Sequence, residues 1–304
     1  TNPVQLFLAR IFHGFALSLF IPAANALVID RADPQRRGEA LGWIAAVTQL
    51  GFAVGPGLGG FLAYSYGTNS AFVACSLISL VGLGSVIAGV GLGEERKQSQ
   101  ISSAETTLSW MRSPLVWASL LSSLVAAFGT SATGSFSLPL YAPEIGISTT
   151  YVGFMVTLLY LSSALVRVPA GKLSDRIGRV PVIILGLTIE ALGIALIPTF
   201  NSLFSIIFAL ILCGAGVGLV NPSGFALLSD LLPTTARGIG MGFANAFLQA
   251  GVALGPTLMG VMTESTGFRG IFLISASIIF VTSIIVFALS RTKIHEPRDV
   301  RAQF

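Results

Sequence analysis

Long apolar stretches alternate with short clusters of charged residues along the whole chain. A helix needs about 20 apolar residues to cross a hydrocarbon core about 30 Å thick. With the charged clusters as dividers, the pattern predicts an all-α, multi-pass membrane protein with nine transmembrane helices. The predicted spans are 4–29, 38–63, 70–92, 114–141, 150–171, 180–199, 203–229, 238–263 and 269–290.

The composition agrees with this pattern and excludes a soluble protein. Of the 304 residues, 53% are hydrophobic and 10% are charged, whereas soluble domains carry about 25% charged residues. The two cysteines, Cys75 and Cys213, lie in apolar stretches and lack metal-ligand spacing, so we expect packing roles. The sequence has no nucleotide-binding loop or nucleophile constellation. We therefore expect no enzyme activity, no cofactor and no metal.

Lysine and arginine residues crowd onto one side of the membrane when the loops are numbered alternately. Only Arg269 falls on the other side. This bias predicts a cytoplasmic crowded side and C-terminus in a cell membrane. The net charge of +4 is then a topology signal, and we expect no nucleic-acid partner. The crowded side receives Arg31, Arg36, Arg37, Arg96, Lys97, Arg112, Lys172, Arg176, Arg179, Arg237, Arg291, Lys293, Arg298 and Arg301.

A glycine pattern occurs twice, at an offset of 200 residues. A pattern copied inside apolar helices indicates two equivalent bundles, an organisation found in membrane transporters. Spans 1–3 align with spans 7–9, so we expect three further spans before residue 1. The first copy is Gly42, Gly51, Gly55, Pro56, Gly59 and Gly60, and the second is Gly242, Gly251, Gly255 and Pro256.

A polar stretch from Glu94 to Arg112 is the one long polar connection in the sequence. It predicts a cytoplasmic linker at 93–113. The expected domains are a partial N-terminal bundle at 1–92 and a six-helix bundle at 114–304.

These motifs resemble the major facilitator superfamily over essentially the whole chain. Arg10-Ile-Phe-His13-Gly14 is similar to a helix-4 motif of that family, with His13 where the family usually has Gln. The first glycine copy resembles the helix-5 motif of drug–proton antiporters. The residues Gly171, Asp175, Arg176, Gly178 and Arg179 resemble the motif between helices 8 and 9. The resemblance implies twelve helices in two bundles, of which this chain would supply helices 4–12.

The glycine motif has two interpretations. Glycines on one helical face let another backbone approach closely, and Pro56 or Pro256 in mid-span bends the helix. The motif therefore predicts close packing with a hinge, while a role in antiport is implied by the resemblance alone.

The loop motif also has two interpretations. Asp175 could bind the free amides at the start of the second span, near Gly38 to Leu41, and latch the two bundles together. The alternative is a cytoplasmic anchoring loop with a local turn.

Ionisable residues inside the spans are candidates for a proton or substrate pathway. Arg10 and His13 lie one turn apart in the first span, and the alternative is an arginine that reaches the interface beside a packing histidine. Glu190 lies near the predicted bilayer centre and either carries a proton or is a structural, protonated acid. Arg167 is expected to reach the cytoplasmic interface. Polar side chains expected to line a cavity or to bond between helices are Asn25, Gln49, Thr130, Asn221, Asn245 and Gln249.

Together these features predict a secondary transporter that exports a small, lipophilic molecule in exchange for protons. The proton gradient would supply the energy, and the partners would be the substrate and the lipid bilayer around a monomer. The alternatives are a metabolite symporter or facilitator of the same fold, or a truncated remnant that does not transport.

Overall fold

The computed structural model describes residues 2–31, 37–90, 109–199, 202–233 and 236–291. Every regular element among these residues is helical, which confirms the all-α prediction. The α-helices are α1 (Pro3–Arg31), α2 (Arg37–Tyr66), α3 (Thr68–Val90), α4 (Pro114–Ser131), α5 (Leu138–Glu144), α6 (Thr149–Ile177), α7 (Arg179–Leu196), α8 (Leu203–Leu231) and α9 (Arg237–Arg291).

Seven segments of the described residues are long and apolar enough to cross a membrane. One of them, Gly238–Arg291, is 54 residues long and contains Gly267 at φ 67° and ψ 175°. A positive φ interrupts a helix and favours glycine, so the predicted spans 238–263 and 269–290 correspond to the two sides of this break. The count of nine spans stays a prediction.

The chain divides into two compact units, Thr1–Phe52 and Ala53–Phe304. In the first unit, the described side chains of α1 are mostly exposed. The second unit holds the large buried core. The predicted linker at 93–113 lies mostly outside the described residues, so the predicted division into bundles is untested.

The core of the second unit is a bundle of long helices with very close contacts. Here α4 packs against α9, and α8 packs against both α6 and α7. A Cβ atom on Gly193 of α7 would lie 2.6 Å from the Cys213 nitrogen of α8. A Cβ atom on Gly216 of α8 would lie 2.6 Å from the Gly186 carbonyl oxygen of α7. Glycine allows such backbone contact between membrane helices, where van der Waals packing drives association.

A π-helical segment, Ala132–Ser137, joins α4 to α5. A π-turn adds one residue to the helical repeat and changes the direction of the side chains that follow. The segment begins two residues after Thr130. It therefore rotates Ser135 and Phe136 relative to the buried face of α4.

The structure corrects the prediction of a loop after the fifth predicted span. Gly171, Asp175 and Arg176 lie in the last turns of α6, which continues to Ile177. Only Gly178 is non-helical, with φ 95° and ψ 156°, and α7 begins at the next residue. Intrahelical hydrogen bonds satisfy the backbone up to Gly178, whose amide donates to the Ser174 carbonyl at 3.1 Å. The turn is therefore a single residue.

Candidate functional site

The C-terminal part of α2 touches the N-terminal part of α6 through glycines. A Cβ atom on Gly153 would lie 2.6 Å from the Pro56 carbonyl oxygen and 3.3 Å from the Gly60 Cα. A Cβ atom on Gly57 would lie 2.8 Å from the Thr157 hydroxyl oxygen. That hydroxyl is buried and has no hydrogen-bond partner among the described residues. The two backbones therefore meet directly, and side chains larger than hydrogen would separate them.

Three other glycines of the first copy do not take part in this contact. A Cβ atom on Gly51, Gly55 or Gly59 would meet nothing within 4 Å in the described part of the chain. Gly42 lies in α2, at a position whose surroundings are outside the described residues. Among the motif residues whose surroundings the structure describes, the contact with α6 uses the part from Pro56 to Gly60.

The second glycine copy packs α9 onto α4. A Cβ atom on Gly255 would lie 2.5 Å from the Phe128 carbonyl oxygen and 2.9 Å from the Ala132 nitrogen. One on Gly251 would collide with the Leu124 carbonyl oxygen. Two further members differ: Gly242 has no such neighbour among the described residues, and Pro256 is half-buried. The α4–α9 contact is therefore built from backbone at two successive turns.

Arg179 joins the ends of three helices. Its Nη1 donates to Asp175 in α6 and, at 2.8 Å, to the Ser174 hydroxyl. Its Nε donates to Asp230 Oδ2 in α8 at 3.2 Å. Both carboxylates are exposed, so each ion pair is screened by water. The arrangement links α6, α7 and α8 at this end through weak, screened ion pairs.

Glu190 of α7 is fully buried between helices. Thr130 Oγ1 of α4 lies 3.1 Å from Glu190 Oε1 and donates to it, while Oε2 has no partner among the described residues. Cβ atoms on Gly129 and Gly216 would lie 2.9 Å and 2.7 Å from this side chain, so both glycines make room for it. The acid therefore sits where α4, α7 and α8 meet.

The comparisons with known proteins identify the family. The model of the Major Facilitator Superfamily matches residues 1–142 and 119–303. The chain belongs to the Major Facilitator Superfamily.

Individual relatives are similar at low identity over most of this transporter. Multidrug resistance protein MdtG of Dickeya zeae is 27% identical over 293 residues, 93% of this chain and 70% of the relative. Multidrug resistance protein 1 of Bacillus subtilis is 23% identical, over 86% of this chain and 67% of the relative. A crystal structure of a bacterial homologue of the human lysosomal transporter Spinster has a TM-score of 0.68 at 16% identity. It covers 90% of this chain and 74% of that one.

Membership of this superfamily makes the chain a multi-pass membrane transporter rather than an enzyme. The fold prediction, helices of the facilitator type, is confirmed by the family match and by the similar structure.

The structure places the predicted polar residues of this transporter in different environments. Asn221 is buried in α8, and its Oδ1 has no partner among the described residues. Asn245 and Gln249 are exposed on α9, one turn apart. The side chains of Asn25 and Gln49 lie outside the described residues. Among the described members of the predicted set, the one hydrogen bond between side chains is that from Thr130 to Glu190.

The predicted cations of α1, Arg10 and His13, are both exposed. They lie on the same helix about one turn apart, as the sequence requires. Their proposed role in a pathway stays a prediction.

Three residues of the site were not predicted from the sequence. Gly153 and Thr157 contact α2, and Asp230 binds Arg179. The signal for Asp230 was present, since Asp30 and Asp230 are a repeat pair at the same offset of 200 residues. The hypothesis that Asp175 binds the start of the second span, near Gly38 to Leu41, pairs α6 with α2 at their other ends, and the side chains at 38–41 lie outside the described residues.

Proposed function

We propose that this transporter exports a small, lipophilic molecule in exchange for protons by alternating access. The observation that carries the proposal is the contact between the helix-5 glycine motif and α6, in which Gly60 and Gly153 meet backbone to backbone. In the proposed topology, α2 ends and α6 begins on the outer side of the membrane. The contact therefore closes the outer side in this conformation.

Alternating access requires this contact to open during the cycle. A contact made of glycine backbone separates without loss of interdigitated side chains, and it re-forms only when the two helices approach fully. The inner ends of α6, α7 and α8, joined through Arg179, would then move together as one body. Such rocking of rigid bundles around a central site is the general mode of transporters built from repeats.

Export of lipophilic molecules is supported by the names of the relatives. MdtG and multidrug resistance protein 1 are both named for drug resistance, and the chain covers two thirds or more of each. The helix-5 motif, in which every position matches, agrees with this assignment. The proposed location is the cell membrane, with a cytoplasmic C-terminus and a monomeric protein.

Glu190 is the proposed proton carrier of the second unit. Among the described residues, Glu190 has a single hydrogen bond, to Thr130, and no cation, so its ionised form would be an unpaired buried charge, which is costly in a low-dielectric interior. A neutral acid avoids this cost. Proton release would require water to reach Oε2 in another conformation of the cycle.

The test is dye accumulation in cells that express the protein. Cells with the transporter are expected to accumulate less of a lipophilic fluorescent dye than cells with an empty vector, and a protonophore should remove the difference. Equal accumulation in both cell lines, or a difference that survives the protonophore, would contradict proton-coupled export.

A further inference from the structure

Arg167 of α6 is a partly buried cation in a helix of membrane-spanning length, and no partner for it is found among the described residues. Its Nε is buried, and it makes no hydrogen bond or ion pair with any described residue. For its two terminal nitrogens, too, no hydrogen-bond partner is found among the described residues. Beyond Arg167, α6 continues for ten more residues to Ile177, and the sequence-based expectation that Arg167 reaches the interface stays a prediction. Those residues extend about 15 Å.

Arg167 lies on the same face of α6 as the residues that touch α2. Residues spaced alternately by four and three positions lie on one face of a helix. On this face, the outer residues Gly153 and Thr157 contact α2, and every member is partly exposed rather than buried or fully exposed. The face consists of Gly153, Thr157, Tyr160, Ala164, Arg167 and Gly171.

This face is distinct from the two others on α6. Residues that pack on α8, such as Leu159 and Ser163, are buried. Residues such as Leu165 and Val168 are 68% and 69% exposed and present an apolar surface of the kind that faces lipid. Arg167 therefore lies on neither the α8 packing surface nor the apolar surface, but on the face of α6 that carries Gly153 and Thr157.

The same face offers an apolar and aromatic surface beside the guanidinium group. Tyr160 lies seven residues before Arg167, about 10 Å along the helix, and its hydroxyl hydrogen-bonds to Ser135 of the π-helical segment. Ala164 lies between them. An intramembrane cation without a counter-ion marks a substrate or ion pathway. A planar guanidinium binds carboxylate, sulfonate or phosphate groups through two parallel hydrogen bonds.

We propose that Arg167 binds the anionic group of an amphipathic substrate whose apolar body lies along α6 towards Tyr160. The proposal rests on the proposed function and adds a substrate class to it, namely lipophilic acids. A neutral or cationic molecule of the same shape would leave the guanidinium unpaired and would bind more weakly.

The experiment compares two fluorescent probes that differ only in one anionic group. Anilinonaphthalene sulfonate is anionic, and N-phenylnaphthylamine has the same ring system without the sulfonate. Binding of each is titrated with the full chain in neutral detergent, for wild type, Arg167→Ala, Arg167→Lys and Lys172→Ala. Lys172 is an exposed cation on the same helix, so its variant is the matched control for loss of one positive charge.

A hydrogen bond to a charged group contributes about 1.5–3 kcal/mol, so Arg167→Ala should weaken binding of the sulfonate about 10- to 100-fold. The neutral probe should change less than about 2-fold. Arg167→Lys should keep part of the affinity for the sulfonate, because it retains the charge but not the bidentate geometry. Lys172→Ala should bind both probes as wild type does.

Three outcomes overturn the proposal. If wild type binds the sulfonate no more tightly than the neutral probe, the protein has no anion site. Equal loss of both probes in Arg167→Ala assigns a structural role to Arg167. An Arg167-dependent preference that phosphatidylglycerol abolishes when added to the micelles assigns the site to a lipid headgroup instead of a substrate.

The binding experiment and the test of the proposed function can fail independently of each other. Binding in detergent requires no transport and no proton gradient. A protein that shows the Arg167-dependent preference but does not lower dye accumulation in cells would support the anion site and contradict export.

Discussion

Gly60 of α2 and Gly153 of α6 meet so closely that a Cβ atom on Gly60 would lie 3.4 Å from the Gly153 Cα. Each residue belongs to a different predicted bundle, at 1–92 and 114–304. The contact lies towards the end of α2 and the start of α6. The contact involves Gly60 of the first glycine copy, and α2 and α6 can separate here only if it is lost.

Substitution of Gly153 should weaken the contact with α2. In Gly153→Ala the new methyl group would lie 2.6 Å from the Pro56 carbonyl oxygen, closer than atoms can approach, so the helices must move apart. The population with an open outer side is expected to rise. Labelling of a cysteine introduced at Ala63 of α2 by a membrane-impermeant maleimide should become faster.

The control for this substitution is Gly82→Ala in α3, where a Cβ atom would meet nothing within 4 Å among the described residues. Its labelling rate should match that of the parent. Equal rates for Gly153→Ala and the parent would show that the contact does not hold the outer side closed.

Glu190→Gln should fold like the parent protein but should lose proton transport. Gln has nearly the same volume and can accept the hydrogen bond from Thr130, so the protein should fold and bind the neutral probe normally. It cannot carry a proton, and substrate-driven proton flux in liposomes should fall at least about tenfold.

Glu190→Ala separates packing from proton transfer. It removes a fully buried side chain between Gly129 and Gly216 and should lower thermal stability. Thr188→Val, which removes a neighbouring hydroxyl of α7, is the control for loss of a polar group. Wild-type proton flux in Glu190→Gln would leave Glu190 a purely structural residue.

Arg179 and Asp230 should be coupled weakly. Their ion pair is 3.2 Å long and the Asp230 side chain is 59% exposed, so water screens it. A double-mutant cycle with Arg179→Ala and Asp230→Asn is expected to give a coupling of about 0.2–1 kcal/mol in unfolding free energy. The coupling should decrease in high salt. A coupling that is absent at low salt would show that the ion pair does not hold α7 to α8.

The contact between α9 and α4 should tolerate no side chain at Gly255. A methyl group there would lie 2.5 Å from the Phe128 carbonyl oxygen, and overpacking of this kind costs about 1–3 kcal/mol. Gly255→Ala should therefore unfold at a lower temperature than the parent. Gly238→Ala lies on the same helix without such a neighbour in the described part of the chain, and it should show no loss. Similar thermal stability of the two variants would contradict the packing role of the glycine copy.

The sequence was sufficient for features that depend on local periodicity and composition. The predicted spans fall within helices, and the repeat in α9 lies where α9 packs on α4, because apolar runs and glycine spacing are visible residue by residue. Contacts between individual residues of distant helices were not predictable. Thr130 and Glu190 are 60 residues apart in the sequence, and the rotation of each helix decides whether they meet. The π-helical segment at Ala132–Ser137 changes such a rotation and has no clear sequence signal.

The most direct test of proton-coupled export is the direction of proton flow in liposomes that contain the purified protein. Liposomes are loaded with a lipophilic substrate and a pH-sensitive dye, then diluted into substrate-free buffer at the same pH. Exchange of substrate for protons predicts that the lumen becomes more acidic than in protein-free liposomes as substrate leaves. A lumen that becomes alkaline would show symport, and a lumen whose pH does not change would show uncoupled movement; either result would contradict the proposed function.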